Sequence, residues 1–250
     1  MFTRLFSKYR QFSLVLVCSV FLVSCGDSGD EGAAAVAVAT EVPAGQVASS
    51  AVLPAGDDVQ VYTIDPAESE VYWKIYRSGP LARLGHNHVI SLVDFSGSVT
   101  VGSDLADSAW ELSFPVDGLI VDDPELRARF GEDFESVPSD EDKAGTKVNM
   151  LTDRVLDGIN FPEIRLEGSG VIGSLDAASL PLSINILGRT IERTFPASIS
   201  ITADTVTVTG EYRMTHDDFG MEPFTALGGA MAVGSEIDFT YELTATAVAQ

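Results

Sequence analysis

Glu70-Val71-Tyr72-Trp73-Lys74-Ile75-Tyr76-Arg77 is the stretch on which the fold class turns. In extended chain Val71, Trp73 and Ile75 fall on one side and Glu70, Tyr72, Lys74 and Tyr76 on the other, the period of a half-buried strand. Working outward, the same alternation recurs. Phe95, Gly97, Val99 and Val101 share a face, as do Trp110, Leu112, Phe114 and Val116, then Leu182, Ile184 and Ile186, and finally Ile237, Phe239, Tyr241 and Leu243. Repeated strands of this kind suit antiparallel pairing with one dry face, so the expected class is all-β.

Turn chemistry separates the runs. Gly102-Ser103-Asp104, Gly173-Ser174-Leu175-Asp176, Gly188-Arg189 and Thr209-Gly210 are the expected breaks. One region has a different period. Asp123-Pro124-Glu125 reads as an N-cap with proline at the first helical position, and Ser139 with Asp142 three residues on reads as a capping box. Helices are therefore expected over 124–130 and 140–153. Val148, Leu151 and Val155 recur at helical spacing, which predicts core packing for them. The acids Glu132, Asp133, Glu135, Asp140, Glu141 and Asp142 lack the spacing of a calcium loop and read as a solvated surface.

Upstream of the strands the chain is of another kind. Arg4, Lys8 and Arg10 precede an apolar run over 12–23 that is too short for a comfortable membrane span, the pattern of an export signal. Leu22-Val23-Ser24-Cys25-Gly26 follows and resembles the lipobox of bacterial lipoproteins, which implies cleavage before a diacylglyceryl-modified Cys25. Acyl chains contribute roughly 0.8 kcal/mol per buried methylene, so two or three of them hold a protein at a bilayer with no spanning segment. The other cysteine, Cys18, lies inside the signal, so the processed chain has no disulfide. Residues 26–58 are rich in Ala, Val, Gly, Ser, Pro and acid and contain no aromatic side chain, too little to offset the entropy of ordering. The expected organisation is a signal over 1–24, a flexible tether over 25–58 and one β domain over 59–250. Gly26 and Asp27 after the cysteine resemble sorted lipoproteins and point to the outer membrane of a bacterial envelope, facing the periplasm.

Charge narrows the partners. The formal net charge is −22, and the signal carries three of the basic residues and none of the acidic ones. Nucleic acid binding rests on cations that neutralise phosphate, so it is excluded as the expected role, and the covalent lipid must supply the membrane attachment. There is no Gly-x-Ser-x-Gly elbow, no phosphate-cradling loop, no Cys-x-x-Cys and no His-Glu-x-x-His, so nucleophilic hydrolysis, nucleotide chemistry and thiol redox have no support. The sequence leaves a homodimer open.

Five ordered blocks then carry a resemblance. Tyr62-Thr63-Ile64-Asp65-Pro66-Ala67-Glu68-Ser69, Phe95-Ser96-Gly97, Asn160-Phe161-Pro162-Glu163-Ile164, Leu187-Gly188-Arg189-Thr190, and Asp218-Phe219-Gly220 followed by Val233-Gly234-Ser235-Glu236-Ile237 resemble the YceI family of periplasmic polyisoprenoid-binding proteins. The resemblance implies an eight-stranded antiparallel, lipocalin-like barrel with one or two accessory helices, no cofactor, and a long apolar ligand such as an isoprenoid lipid in its lumen. An eight-stranded barrel is either filled by its own side chains or holds one small ligand. Trp73, Phe95, Trp110, Phe114, Ile184, Ile186, Phe239 and Tyr241 are accordingly lumen walls in one reading and packed core in the other.

The chain departs from the commoner family pattern at Leu84-Gly85-His86-Asn87-His88. His86 and His88 would project to one side of a strand, and the third histidine is His216, beside Asp217 and Asp218. Three converging imidazoles can hold zinc and activate water, so a metal-binding module or metal-dependent hydrolase is the alternative. The plainer expectation is hydrogen bonding, with Asp94 as the neighbouring carboxylate.

Overall fold

In the computed structural model, which describes residues 59–248, β1 (Gln60–Ile64) opens the barrel. The expected signal, Cys25 and the tether lie outside the described residues. Asp65 accepts a hydrogen bond from the Ala67 amide and Pro66 fixes the next backbone angle, so the chain bends through Pro66–Glu68 and resumes as β2 (Glu70–Ser78). β3 (His88–Leu92) and β4 (Ser96–Val101) are a second strand broken by a bend, and β5 (Ala109–Pro115) and β6 (Ile120–Val121) follow. Two short helices come next, α1 (Pro124–Arg127) and α2 (Asp140–Met150). The rest is strand: β7 (Glu163–Ser169), β8 (Ile172–Ser174), β9 (Ala177–Ile186), β10 (Arg189–Ile201), β11 (Thr205–Thr215), β12 (Thr225–Ala226) and β13 (Met231–Ala247).

Closure depends on the last strand. β1, β4, β5, β7, β9, β10, β11 and β13 pair antiparallel in that order, and Tyr62 opposite Ala247 returns β13 to β1, which makes a closed ring of eight. A closed ring leaves none of these strands with an open edge. β13 is long enough to pair with β2 as well, from Ser78 opposite Ala232 to Glu70 opposite Glu242, and β3 and β6 extend the sheet beyond β2. The fold is thus the expected all-β barrel with two accessory helices.

Both helices are where their caps predict. Asp123 accepts from the amides of Glu125 and Leu126, and α1 runs on as one tighter turn to Phe130. Ser139 and Asp142 cap each other reciprocally at the start of α2. The second helix ends at Met150, short of the expected residue 153, because the Leu151 amide is shared between the carbonyls of Lys147 and Val148 as the last turn tightens. Val148 projects into solvent, contrary to its expected core role, whereas Leu151 and Val155 pack on the core.

Two further expectations need correction. Thr209-Gly210 is not a turn but lies within β11, because a Cβ at Gly210 would collide with the Tyr241 hydroxyl and the Pro196 carbonyl. The outer face of β2 is not merely solvated. Tyr72 is buried with Val89 from β3 beneath Leu126 and Phe134, and the Tyr72 and Phe130 rings lie 5.2 Å apart. The segment containing α1 therefore forms a small second core outside the barrel wall.

Candidate functional site

The inward faces of the strands do not fill the barrel. They enclose a cavity of about 410 Å³, within the roughly 300–1,000 Å³ of small-molecule sites. Its wall is apolar: Val71, Trp73 and Ile75 from β2, Trp110, Leu112 and Phe114 from β5, Leu182, Ile184 and Ile186 from β9, and Ile237, Phe239, Tyr241 and Leu243 from β13. These are the faces that the two-residue period marked. Phe195 of β10, also in the wall, lies 4.5 Å from Tyr212 of β11.

Two glycines set where large rings lie along this wall. Gly168 sits opposite Trp110, and a Cβ there would fall 2.4 Å from the indole Nε1 and 2.3 Å from the Pro181 carbonyl. The indole can lie across β7 only because that position has no side chain. Its Nε1 is buried with no hydrogen-bond partner among the described residues. Gly210 serves Tyr241 in the same way, and the Tyr241 hydroxyl donates to the Pro196 carbonyl across β11. Burial pushes that phenol up to about 12, so it stays a neutral donor.

The two ends of the lumen differ. At one, Tyr62 Oη donates to the Thr202 carbonyl at 3.0 Å and the Val171 amide to the Leu105 carbonyl at 3.1 Å, lacing short turns into a floor. At the other, Arg77, Ser78, Gly85 and His86 meet Thr146 and Asn149 of α2 and Phe224 and Met231 around the cavity. Arg77, Ser78 and Phe224 are exposed as well as cavity-lining, so the lumen reaches solvent here. The Leu81 amide donates to the Ala230 carbonyl at 2.8 Å and ties the two loops of this mouth together.

Beside the mouth is a buried charge network that the sequence did not reveal. The Asp122 side chain has no exposed surface and accepts from His88 Nδ1 at 2.6 Å, from the Val89 amide at 2.9 Å and from Arg127 Nη1 at 2.6 Å. Burial alone would raise its pKa, but the His88 and Val89 hydrogen bonds and the neighbouring positive charge hold it below the ordinary value. Arg127 is buried too, and spends its other donors on the Asn87 carbonyl at 2.6 Å and the Ser136 carbonyl at 2.8 Å. Asp122 carries no motif of its own in the sequence, and no local spacing links it to His88.

Seven of the eight sequence-expected wall residues line the cavity: Trp73, Trp110, Phe114, Ile184, Ile186, Phe239 and Tyr241. Phe95 is buried in the core without lining it, because it precedes β4 at the bend where the chain changes partners. His86, His88 and His216 all border the cavity but do not form one metal site. Among the described residues no three His, Cys, Asp or Glu side chains are placed to share an ion. His88 is committed to Asp122, not Asp94, and His86 Nδ1 lies 3.2 Å from Ser136 Oγ. His216 Nδ1 lies 3.1 Å from the Ser235 carbonyl. Asp218 is engaged by Arg193 at 2.9 Å and caps Thr215. Among the described residues zinc therefore has no assembled ligand set.

Comparisons with known proteins bear on the fold. The sequence model described as the YceI-like domain matches residues 62–245. Among solved structures, Burkholderia cenocepacia BcnA superposes with a TM-score of 0.52 at 13% identity, over 72% of this chain and 98% of that one. A polyisoprenoid binding domain from Saccharophagus degradans, implicated in plant cell wall breakdown, gives 0.48 at 8% identity, over 76% and 99%. A Campylobacter jejuni YceI protein gives 0.44 at 11% identity, over 63% and 83%. Comparison with curated proteins gives no match.

Proposed function

This chain belongs to the YceI-like domain family, and from that footing we propose that it binds a long apolar molecule of the polyisoprenoid class in its lumen, for carriage or sequestration at a bacterial envelope. The observation that carries this reading is the cavity of about 410 Å³ left open inside an apolar ring of strands. A void of that size without an occupant forfeits dispersion contacts along its wall, and an apolar ligand restores them. The wall is almost wholly hydrocarbon, so a binding role fits the site better than a reaction on the ligand's hydrocarbon.

Attachment through a lipid on Cys25 is part of the proposal. Its support is the basic start, the short apolar run and the cysteine in its lipobox-like setting. The outer membrane, with the domain facing the periplasm, is the location proposed. A passive carrier there needs no cofactor, and its partners are the apolar ligand and the membrane that supplies it.

The test is direct. The chain is purified from membranes in mild detergent and its bound lipid measured by native mass spectrometry, beside Ile184→Trp, which fills the lumen from β9. Overpacking of this kind costs about 1–3 kcal/mol, so the variant is first shown to be folded. The wild-type chain should carry isoprenoid lipid, and the variant should carry at most about a tenth as much, the equivalent of about 1.4 kcal/mol. Equal lipid on both would place the ligand outside the lumen and overturn the proposal.

A further inference from the structure

We propose that His88 is a recognition site for a hydroxyl group on the head of the lumen's apolar ligand, so that the barrel selects isoprenoid alcohols or quinols over hydrocarbons and ethers of the same shape. The inference rests on the lumen-binding reading and adds to it the chemistry of the ligand's polar end.

The argument begins with Asp122, whose ionised carboxylate can only accept hydrogen bonds. His88 must then donate to it through Nδ1–H at 2.6 Å, and in the neutral form of the ring this leaves the lone pair on Nε2. Arg127 pairs with Asp122 at 2.6 Å on the other carboxylate oxygen. His88 borders the cavity, and its Nε2 has no hydrogen-bond partner among the described residues. The result is a fixed acceptor beside an apolar space.

The network has a structural role, and that role uses only the Nδ1 side of the imidazole. Arg127 and the Val89 amide both bond Asp122 Oδ1, and the imidazole alone serves Oδ2. The backbone of Asp122 is held at φ 53°, in the left-handed region that costs a non-glycine residue energy. That strain puts the carboxylate behind His88. The neighbouring histidines differ: His86 faces the exposed Ser136 hydroxyl, and His216 is fixed by a backbone carbonyl.

A hydroxyl entering this corner donates to Nε2, whereas a hydrocarbon or ether end leaves the acceptor without a donor. The net worth of one such bond corresponds to roughly a five- to tenfold preference. Geranylgeraniol and its methyl ether, which differ in the donor and in one methyl group, are the probes, each competed against a fluorescent apolar ligand on the delipidated full chain. The wild-type protein should bind the alcohol five- to tenfold more tightly, by the same conversion. His88→Phe should lose that preference, and His86→Phe should keep it. Equal wild-type affinities, or a preference that survives His88→Phe, would overturn the assignment while leaving lumen binding intact. Failure of the wild-type chain to bind either probe would sink both. The wild-type ratio needs no variant, so it decides the matter even if His88→Phe does not fold.

Discussion

Asp122 carries a negative charge with no exposed side-chain surface, and its three hydrogen bonds come from two separate places in the chain, His88-Val89 and Arg127. Removing one member of such a group leaves the others buried and unmatched, which costs about 3–5 kcal/mol. Asp122→Ala should therefore lower stability by about that amount, read as the shift in a urea unfolding midpoint. A change under about 1 kcal/mol, the range of exposed pairs, would mean that the network is wetter than its geometry. The wall residues were legible in the sequence because a two-residue period needs no knowledge of partners. Asp122 was not, since its meaning depends on His88 and Arg127 meeting it in space. Asp94 looked the better partner for His88 only because it is nearer in the chain.

Elements obey the same division between local and distant causes. The capping box of α2 is a spacing rule, and the structure has both halves of it, with Ser139 Oγ accepting from the Asp142 amide at 3.2 Å and Asp142 accepting from the Ser139 amide at 3.0 Å. Ser139→Ala should cost about 1 kcal/mol. Because Thr146 and Asn149 of that helix border the cavity, the same change should loosen the mouth, seen as faster amide hydrogen exchange over α2 with exchange in β13 unaltered. Uniform exchange changes across both would count against a separable mouth. Gly210 shows the opposite case. A glycine beside threonine reads locally as a turn, but its reason is Tyr241 on the adjacent strand, which no local rule can see.

For the whole molecule the clearest expectation is acid sensitivity with an identifiable first step. Burial lowers the pKa of His216 below its ordinary value of 6.5, with the Ser235 carbonyl partly opposing. The unfolded chain then takes up this proton before the folded one does, so stability is full above about 6.5 and falls as the pH drops through that value. Asp122, Asp218 and Asp238 are held below 3.8, so the stability they contribute is present above that value and lost as pH falls further. Lessening self-repulsion in so acidic a chain works the other way, and His216→Gln separates the two. The wild-type protein should lose stability relative to this variant as the pH falls through 6.5, measured by urea titration at a series of pH values; parallel curves would refute it. The barrel's closure has a practical corollary. Gln60 pairs with Val101 and Ala247 with Tyr62, so both ends of the described chain depart from the laced floor. A reporter grafted directly at Gln60 or Ala247, or a chip surface gripping one, would leave the opposite opening turned toward bulk solution, a favourable orientation for a lipid biosensor.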